Sequence, residues 1–114
     1  MPERTLFQKI EDGDIPAEII YEDQVCFAFR DIAPQAPTHI LVVPRKPIPT
    51  LDDLVPEDAE IVGGMFLAAR QIAADEGLDS GWRAVFNCGP DASQTVFHIH
   101  LHLLGGRKLG WPPG

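Results

Sequence analysis

Positive charge is scarce in this chain. Nine lysines and arginines stand against 17 aspartates and glutamates, giving a formal net charge of −8 and a pI near 4.7. A nucleic-acid groove needs a basic face, so nucleic acid is not expected as a partner. A small anionic ligand is still allowed, because a local site can offset the global field. Cysteine is also scarce. Cys26 and Cys88 lie too far apart for a CxxC motif and read as reduced thiols in a cytoplasmic setting. No apolar run approaches the ~20 residues of a membrane span. The opening stretch MPERTLFQKIEDGDIP has no apolar segment behind its basic residues, so neither a membrane partner nor a secretory signal is expected. Repeats and low-complexity tracts are missing. What remains is 114 residues, 45% hydrophobic, the size of a single domain spanning 1–114 with its own core.

Proline and glycine divide the chain into short pieces. Thr5 can cap a short helix through Ile10, with Gly13 beyond its end. Glu18 to Tyr21 and Val25 to Arg30 are rich in β-branched and aromatic residues and read as a hairpin turning at Glu22-Asp23-Gln24. His39 to Val43 is a third strand boxed by Pro37 and Pro44, and the proline-rich KPIPTLDDL that follows reads as loop. Pro56 opens one long helix. Glu57 and Asp58 complement its dipole, Gly77 ends it, and Ile61, Val62, Met65, Phe66, Ala69, Ile72 and Ala73 form its apolar stripe. Trp82 to Phe86 is a fourth strand, Asn87 to Gln94 a polar turn, and Thr95 to Leu104 a fifth strand. The expected fold class is α+β: a five-stranded, mainly antiparallel sheet with one long and one short helix, the long helix covering its one apolar face.

Histidine is the last scarce residue. There are four, and three of them stand at alternate positions, in HIHLHLLGG from His98 to Gly106. On a strand, His98, His100 and His102 share one face, with backbone spacing of roughly 6.6 Å between neighbours, while Ile99, Leu101 and Leu103 share the other. Three readings fit. The imidazoles could decorate a solvated face. They could hold a zinc ion, although only Asp91 offers a carboxylate close by in sequence. Or one neutral imidazole attacks phosphorus while its neighbours fix its tautomer and donate to phosphate oxygens. The turn rich in small and polar residues before them, NCGPDASQT, suits an anion site. These features favour phosphoryl or nucleotidyl transfer.

The pattern His98-Ile99-His100-Leu101-His102-Leu103-Leu104 resembles the histidine triad (HIT) family, and the tail GGRKLGWPPG resembles its histidine-triad nucleotide-binding (HINT) branch. The segments DGDIPAEIIYED and FRDIAPQAPTHILVVP extend the resemblance over nearly the whole chain. It implies the HIT-like fold with the sheet extended across a homodimer. It implies metal-independent hydrolysis of the P–N bond of purine nucleoside 5′-phosphoramidates, as in an adenosine 5′-monophosphoramidase, through a nucleotidyl-histidine intermediate and with no cofactor. The ligand is then a purine nucleotide, with AMP, GMP or adenosine as product. By position, His100 is the nucleophile, His98 and His102 flank it, and His39 supports it. Asn87, Ser93 and Thr95 contact the phosphate region. Asp31 holds the ribose, and Phe7, Ile10, Ile15, Phe29 and Ile32 form the base pocket. His102, where the transferase branch has glutamine, favours a hydrolase, and Thr95 stands where serine is usual. Two other functions fit the same residues: a nucleotide- or zinc-binding regulatory protein with little turnover, and a dinucleoside polyphosphate hydrolase.

Overall fold

The computed structural model describes residues 3–114. The first element, α1 (Leu6–Glu11), is set by its cap. The Thr5 side chain accepts from the Gln8 N–H, and the Gln8 side chain returns a bond to the Thr5 backbone. Strands β1 (Ile19–Glu22) and β2 (Cys26–Arg30) form the expected hairpin, with a register irregularity between Ile19 and Tyr21. Asp23 closes its turn by accepting from the N–H groups of Val25 and Cys26. After β3 (Thr38–Pro44) comes the proline segment. It is not wholly irregular: Leu51–Asp53 is a 3₁₀ turn capped by Thr50, and Ile48 is a core residue. Pro56 begins a second 3₁₀ turn, Pro56–Asp58, which leads into α2 (Ala59–Asp75).

β4 (Trp82–Val85) and β5 (Leu101–Gly105) complete a five-stranded antiparallel sheet in the order β1-β2-β3-β5-β4. The α+β expectation therefore holds, but three details differ. First, β5 does not start at Thr95. It pairs only from Leu101, against Thr38–Val42 of β3 and Trp82–Val85 of β4. β4 ends at Val85, one residue short of the expected Phe86, and Pro44 has no N–H to extend the β3 ladder. His98 and His100 thus precede the paired strand.

Second, both faces of the sheet are apolar. Cys26, Ala28, Ile40, Val42, Leu101 and Leu103 pack under α2 with Met65, Ala69 and Ile72. On the opposite face Phe27, Phe29, Leu41 and Val43 pack with Phe7 and Ile10 of α1. A strand buried on both faces reads as a continuous apolar run, as CFAF does in β2. Third, the stripe of α2 is rotated. Ala68 is buried, while Phe66 is 44% exposed and rests against Phe86 with ring centroids 5.9 Å apart. Ile61 and Val62 are only half-buried. The small residues Ala68, Ala69 and Ala73 bring the helix close to the sheet, and the bulky Phe66 does not fit there.

Leu103 sits fully buried in β5 between two strands and below α2. Leu103→Ala should destabilise the fold by about 2–5 kcal/mol, seen as a lower urea midpoint with an unchanged slope.

Candidate active site

The four histidines meet at the α1 face of the sheet, and their hydrogen-bond partners fix every tautomer. His98 is fully buried. Its Nε2–H donates to the carbonyl of Pro44 at 2.7 Å. Its Nδ1 therefore accepts, and the Thr5 hydroxyl donates to it at 2.7 Å. Both ring nitrogens are occupied and the ring is closed to solvent, so the His98 ring has no nitrogen free for a ligand. It positions its own backbone instead. The His98 carbonyl accepts from Nδ1–H of His100 at 2.8 Å. That leaves the lone pair of His100 on Nε2, which makes no hydrogen bond to the described protein residues.

His39 lies on β3. Its Nδ1 accepts from the backbone N–H of Gln35 at 3.0 Å, so Nε2 carries the proton. That N–H faces Nδ1 of His102 at 2.9 Å and an Asp31 carboxylate oxygen at 3.5 Å. His102 accepts on Nδ1 and consequently carries its proton on Nε2. His39 thus supports His102, while the His98 carbonyl supports His100. The rings of His100 and His102 stand 4.8 Å apart, and His39 lies 5.2 Å from His102. A lone pair on His100 Nε2 is set beside an N–H donor on His102 Nε2.

Burial pushes all four imidazoles below their ordinary pKa. Desolvation is the largest cause in each, with Asp31 pulling His39, His100 and His102 back upward. His102 is lowered to about 4, because His100 and His39 also oppose a charge there. All four are neutral at pH 7.

The apolar residues divide. Phe7, Ile10 and Phe29 are buried in the second core cluster with Ile15 packed against it. Phe7 meets His100 edge-on at 4.9 Å and Phe29 at 5.7 Å. Ile32 does not join them; it is 97% exposed in the loop after β2. Its neighbour Asp31 accepts from the Ala33 N–H with one oxygen, which leaves the other toward His39.

Asn87 is half-buried just after β4, and Ser93 and Thr95 are exposed. Ser93 adopts a left-handed backbone, φ 67°, at the end of the 3₁₀ turn Pro90–Ala92. Its N–H donates to the Pro90 carbonyl, so its hydroxyl is the donor left for an anion. Gln94, which sequence reasoning passed over, braces this turn. It is buried, accepts from the Gly89 N–H, and donates to the carbonyls of Pro49 and Val96. Thr5, read from the sequence only as a helix cap, and Gln35 join the site as well; nothing local marks these roles, since their partners are His98 and His39.

Asp31, His39 and His102 form the one cluster among the described residues able to gather three metal-ligand atoms, all within 4.8 Å of one another. It is not the alternating triad that the zinc reading requires. Both nitrogens between the two rings are already joined by a hydrogen bond.

A histidine near 6.5 when unfolded takes its proton before a buried one does. Stability is therefore lost as pH falls from about 6.5 through the folded value near 4. His102→Gln removes one such group. Its urea-derived stability should fall less steeply over that window than the parent's, and an equal slope would mean that His102 is not depressed.

The HIT domain family pattern matches residues 12–109. An uncharacterized HIT-like protein of Synechococcus elongatus is 54% identical over 114 residues, all of both chains, and one from Synechocystis is 51% identical over the same span. Among solved structures, a HIT family hydrolase from Legionella pneumophila aligns with a TM-score of 0.94 and 49% identity, covering 97% of this chain and all of the other. A histidine triad protein from Clostridium difficile aligns at 0.90 with 42% identity, covering 96% and 97%. Fold, triad and sequence agree, and the chain belongs to the HIT domain family.

Proposed function

We propose that this protein hydrolyses the P–N bond of purine nucleoside 5′-phosphoramidates, through a nucleotidyl group carried on His100. The observation that carries the reading is the tautomer of His100, whose proton is held on Nδ1 by the His98 carbonyl. The relatives named as HIT family hydrolases support hydrolysis in general. In the first step the Nε2 lone pair attacks phosphorus and the P–N bond breaks. The electron pair goes to the amine, which takes a proton from solvent. In the second, water attacks phosphorus, its proton returns to solvent, and the P–Nε2 bond breaks to restore the lone pair. The Nδ1–H···O=C bond steadies the imidazolium that exists between the steps. His102 serves as a donor to the phosphate oxygens. It is not the acid: giving up its Nε2 proton while Nδ1 accepts from His39 would leave an imidazolate.

The reading needs no metal. It includes a homodimer, because β4 is one of the sheet's two edge strands and exposed Phe66 and Leu67 lie on α2, with Phe66 against Phe86 just past the end of β4. Two free cysteines fit a reducing cytoplasm.

With an adenosine phosphoramidate and EDTA present, turnover should continue. A quenched reaction should show AMP on His100, and His100→Ala should abolish turnover while still binding AMP. A nucleotidyl group on another residue, or activity lost to EDTA, would overturn the reading.

In this reading, the free oxygen of Asp31 accepts from the ribose hydroxyls. A buried hydrogen bond to a charged group contributes about 1.5–3 kcal/mol. Asp31→Asn should then weaken ribonucleotides by roughly ten- to a hundredfold, and deoxyribonucleotides less, by calorimetric titration. Equal losses would remove Asp31 from the ribose site.

A further inference from the structure

Thr5 uses one oxygen twice. It accepts from the Gln8 N–H at 3.1 Å as the cap of α1, and its hydroxyl faces Nδ1 of His98 at 2.7 Å, 93 residues away in the chain. A hydroxyl carries one proton and two lone pairs, so it can cap a helix and donate to an imidazole together. The cap alone asks for less. Asn, Asp and Ser all cap a helix better than Thr does. An aspartate, however, has no proton to give Nδ1. The hydroxyl therefore meets a demand that comes from His98 and not from the helix.

That demand is strict because the His98 ring is fully buried. Its Nε2–H is committed to the Pro44 carbonyl at 2.7 Å, which leaves Nδ1 a bare acceptor closed off from solvent. Among the described residues, every buried side-chain nitrogen and oxygen has a partner. Removing the hydroxyl would create an orphan, and a buried acceptor without a donor costs enough to shift a ring from its place. The consequence passes to His100, because the backbone of His98 accepts from Nδ1–H of His100 at 2.8 Å.

The helix is held where the hydroxyl has to be. Phe7 and Ile10 are buried against the sheet, and Phe7 meets the rings of His98 and His100 at 5.6 and 4.9 Å. At the far end of α1, Glu11 accepts from Arg45 at 2.6 Å, in the residue next to Pro44. Both ends of α1 are thus tied to the Pro44–Arg45 junction, one through the His98 ring and one directly.

We infer that Thr5 is a positioning residue of the histidine site: its hydroxyl holds the His98 ring in place, and through the His98 carbonyl it aims the Nε2 lone pair of His100. Its effect on rate rests on the proposed hydrolysis, in which that lone pair attacks phosphorus. Its effect on the two rings rests on the hydrogen bonds alone.

The test uses the full-length protein, isotope-labelled in its histidines for NMR, and three variants. Thr5→Ala removes both roles of the hydroxyl, and Thr5→Ser keeps both. Gln8→Ala weakens the cap by deleting the side chain that accepts from the Thr5 N–H, but it leaves the hydroxyl facing His98. In Thr5→Ala the unprotonated Nδ1 of His98 should shift, and the Nδ1 proton of His100 should exchange with solvent severalfold faster. With an adenosine phosphoramidate, kcat should fall roughly tenfold while KM changes little. Thr5→Ser should restore both the resonances and the rate. Gln8→Ala should keep both near the parent's, even where thermal melting shows that it has lost as much stability as Thr5→Ala. Equal losses in Gln8→Ala and Thr5→Ala would make Thr5 a helix cap only and overturn the inference. Unchanged exchange at His100 in Thr5→Ala would overturn it too. If the parent itself shows no phosphoramidate turnover, the proposed hydrolysis fails, and the imidazole resonances still decide the role of Thr5.

Discussion

The hydrogen bond from His100 to the carbonyl of His98 governs the chemistry, because it decides which nitrogen of His100 holds the lone pair. That carbonyl is steady only because the His98 ring is pinned twice, by the Pro44 carbonyl and the Thr5 hydroxyl. Thr5 can donate to His98 because the same oxygen is already committed as the cap of α1, accepting from Gln8. Phe7, two residues on, rests its ring near both His98 and His100, at 5.6 and 4.9 Å. A six-residue helix is marginal by itself. Here it is held by its contacts with the sheet, and in return it holds the imidazole whose backbone orients His100.

The alternation of HIHLHLL led correctly to the partition between faces. Ile99, Leu101 and Leu103 are buried under α2, and the histidines lie on the other side. The same alternation overextended the strand. Pairing needs a partner ladder, and β3 supplies none beyond Pro44, so the chain at His98 is anchored by a ring hydrogen bond to that proline's carbonyl and by Ile99 N–H to Ile48. The assignment of partners was not legible. Thr5 lies 93 residues from His98, and His39 lies 63 from His102. No local pattern records such pairings. Through the resemblance the sequence did place His39, Asp31 and the triad together. The structure adds that His39 acts on His102, and that Ile32 stands in solvent.

The second apolar face was written in the sequence but masked by the helix argument. One amphipathic helix seemed to need one apolar sheet face. Yet Cys26, Phe27, Ala28 and Phe29 are consecutive apolar residues, and β3 reads Ile40, Leu41, Val42 and Val43 without a polar break. Such strands require cover on both sides. α1 provides part of it, and the histidines border the remainder. The candidate site therefore sits at the margin of a core, which accounts for the desolvation that its imidazoles feel.

That desolvation bears on how an acidic protein would take the phosphate ligand of the proposed reaction. Rings packed at 4.8 and 5.2 Å cannot share several positive charges, and burial lowers every pKa in the cluster. The imidazoles are therefore neutral at neutral pH, beside the Asp31 carboxylate. In the proposed reaction the histidine cluster holds an anion through oriented neutral donors, such as Nε2–H of His102. Burial holds His100, the nucleophile of the proposed reaction, below its ordinary pKa and so favours its unprotonated form, and it also denies the site a strong acid. The reaction such a site suits is therefore one whose leaving group does not depend on an enzyme proton. A phosphoramidate nitrogen, which solvent protonates before or as the bond breaks more readily than it protonates an ester oxygen, meets that condition better than an alkoxide leaving group does.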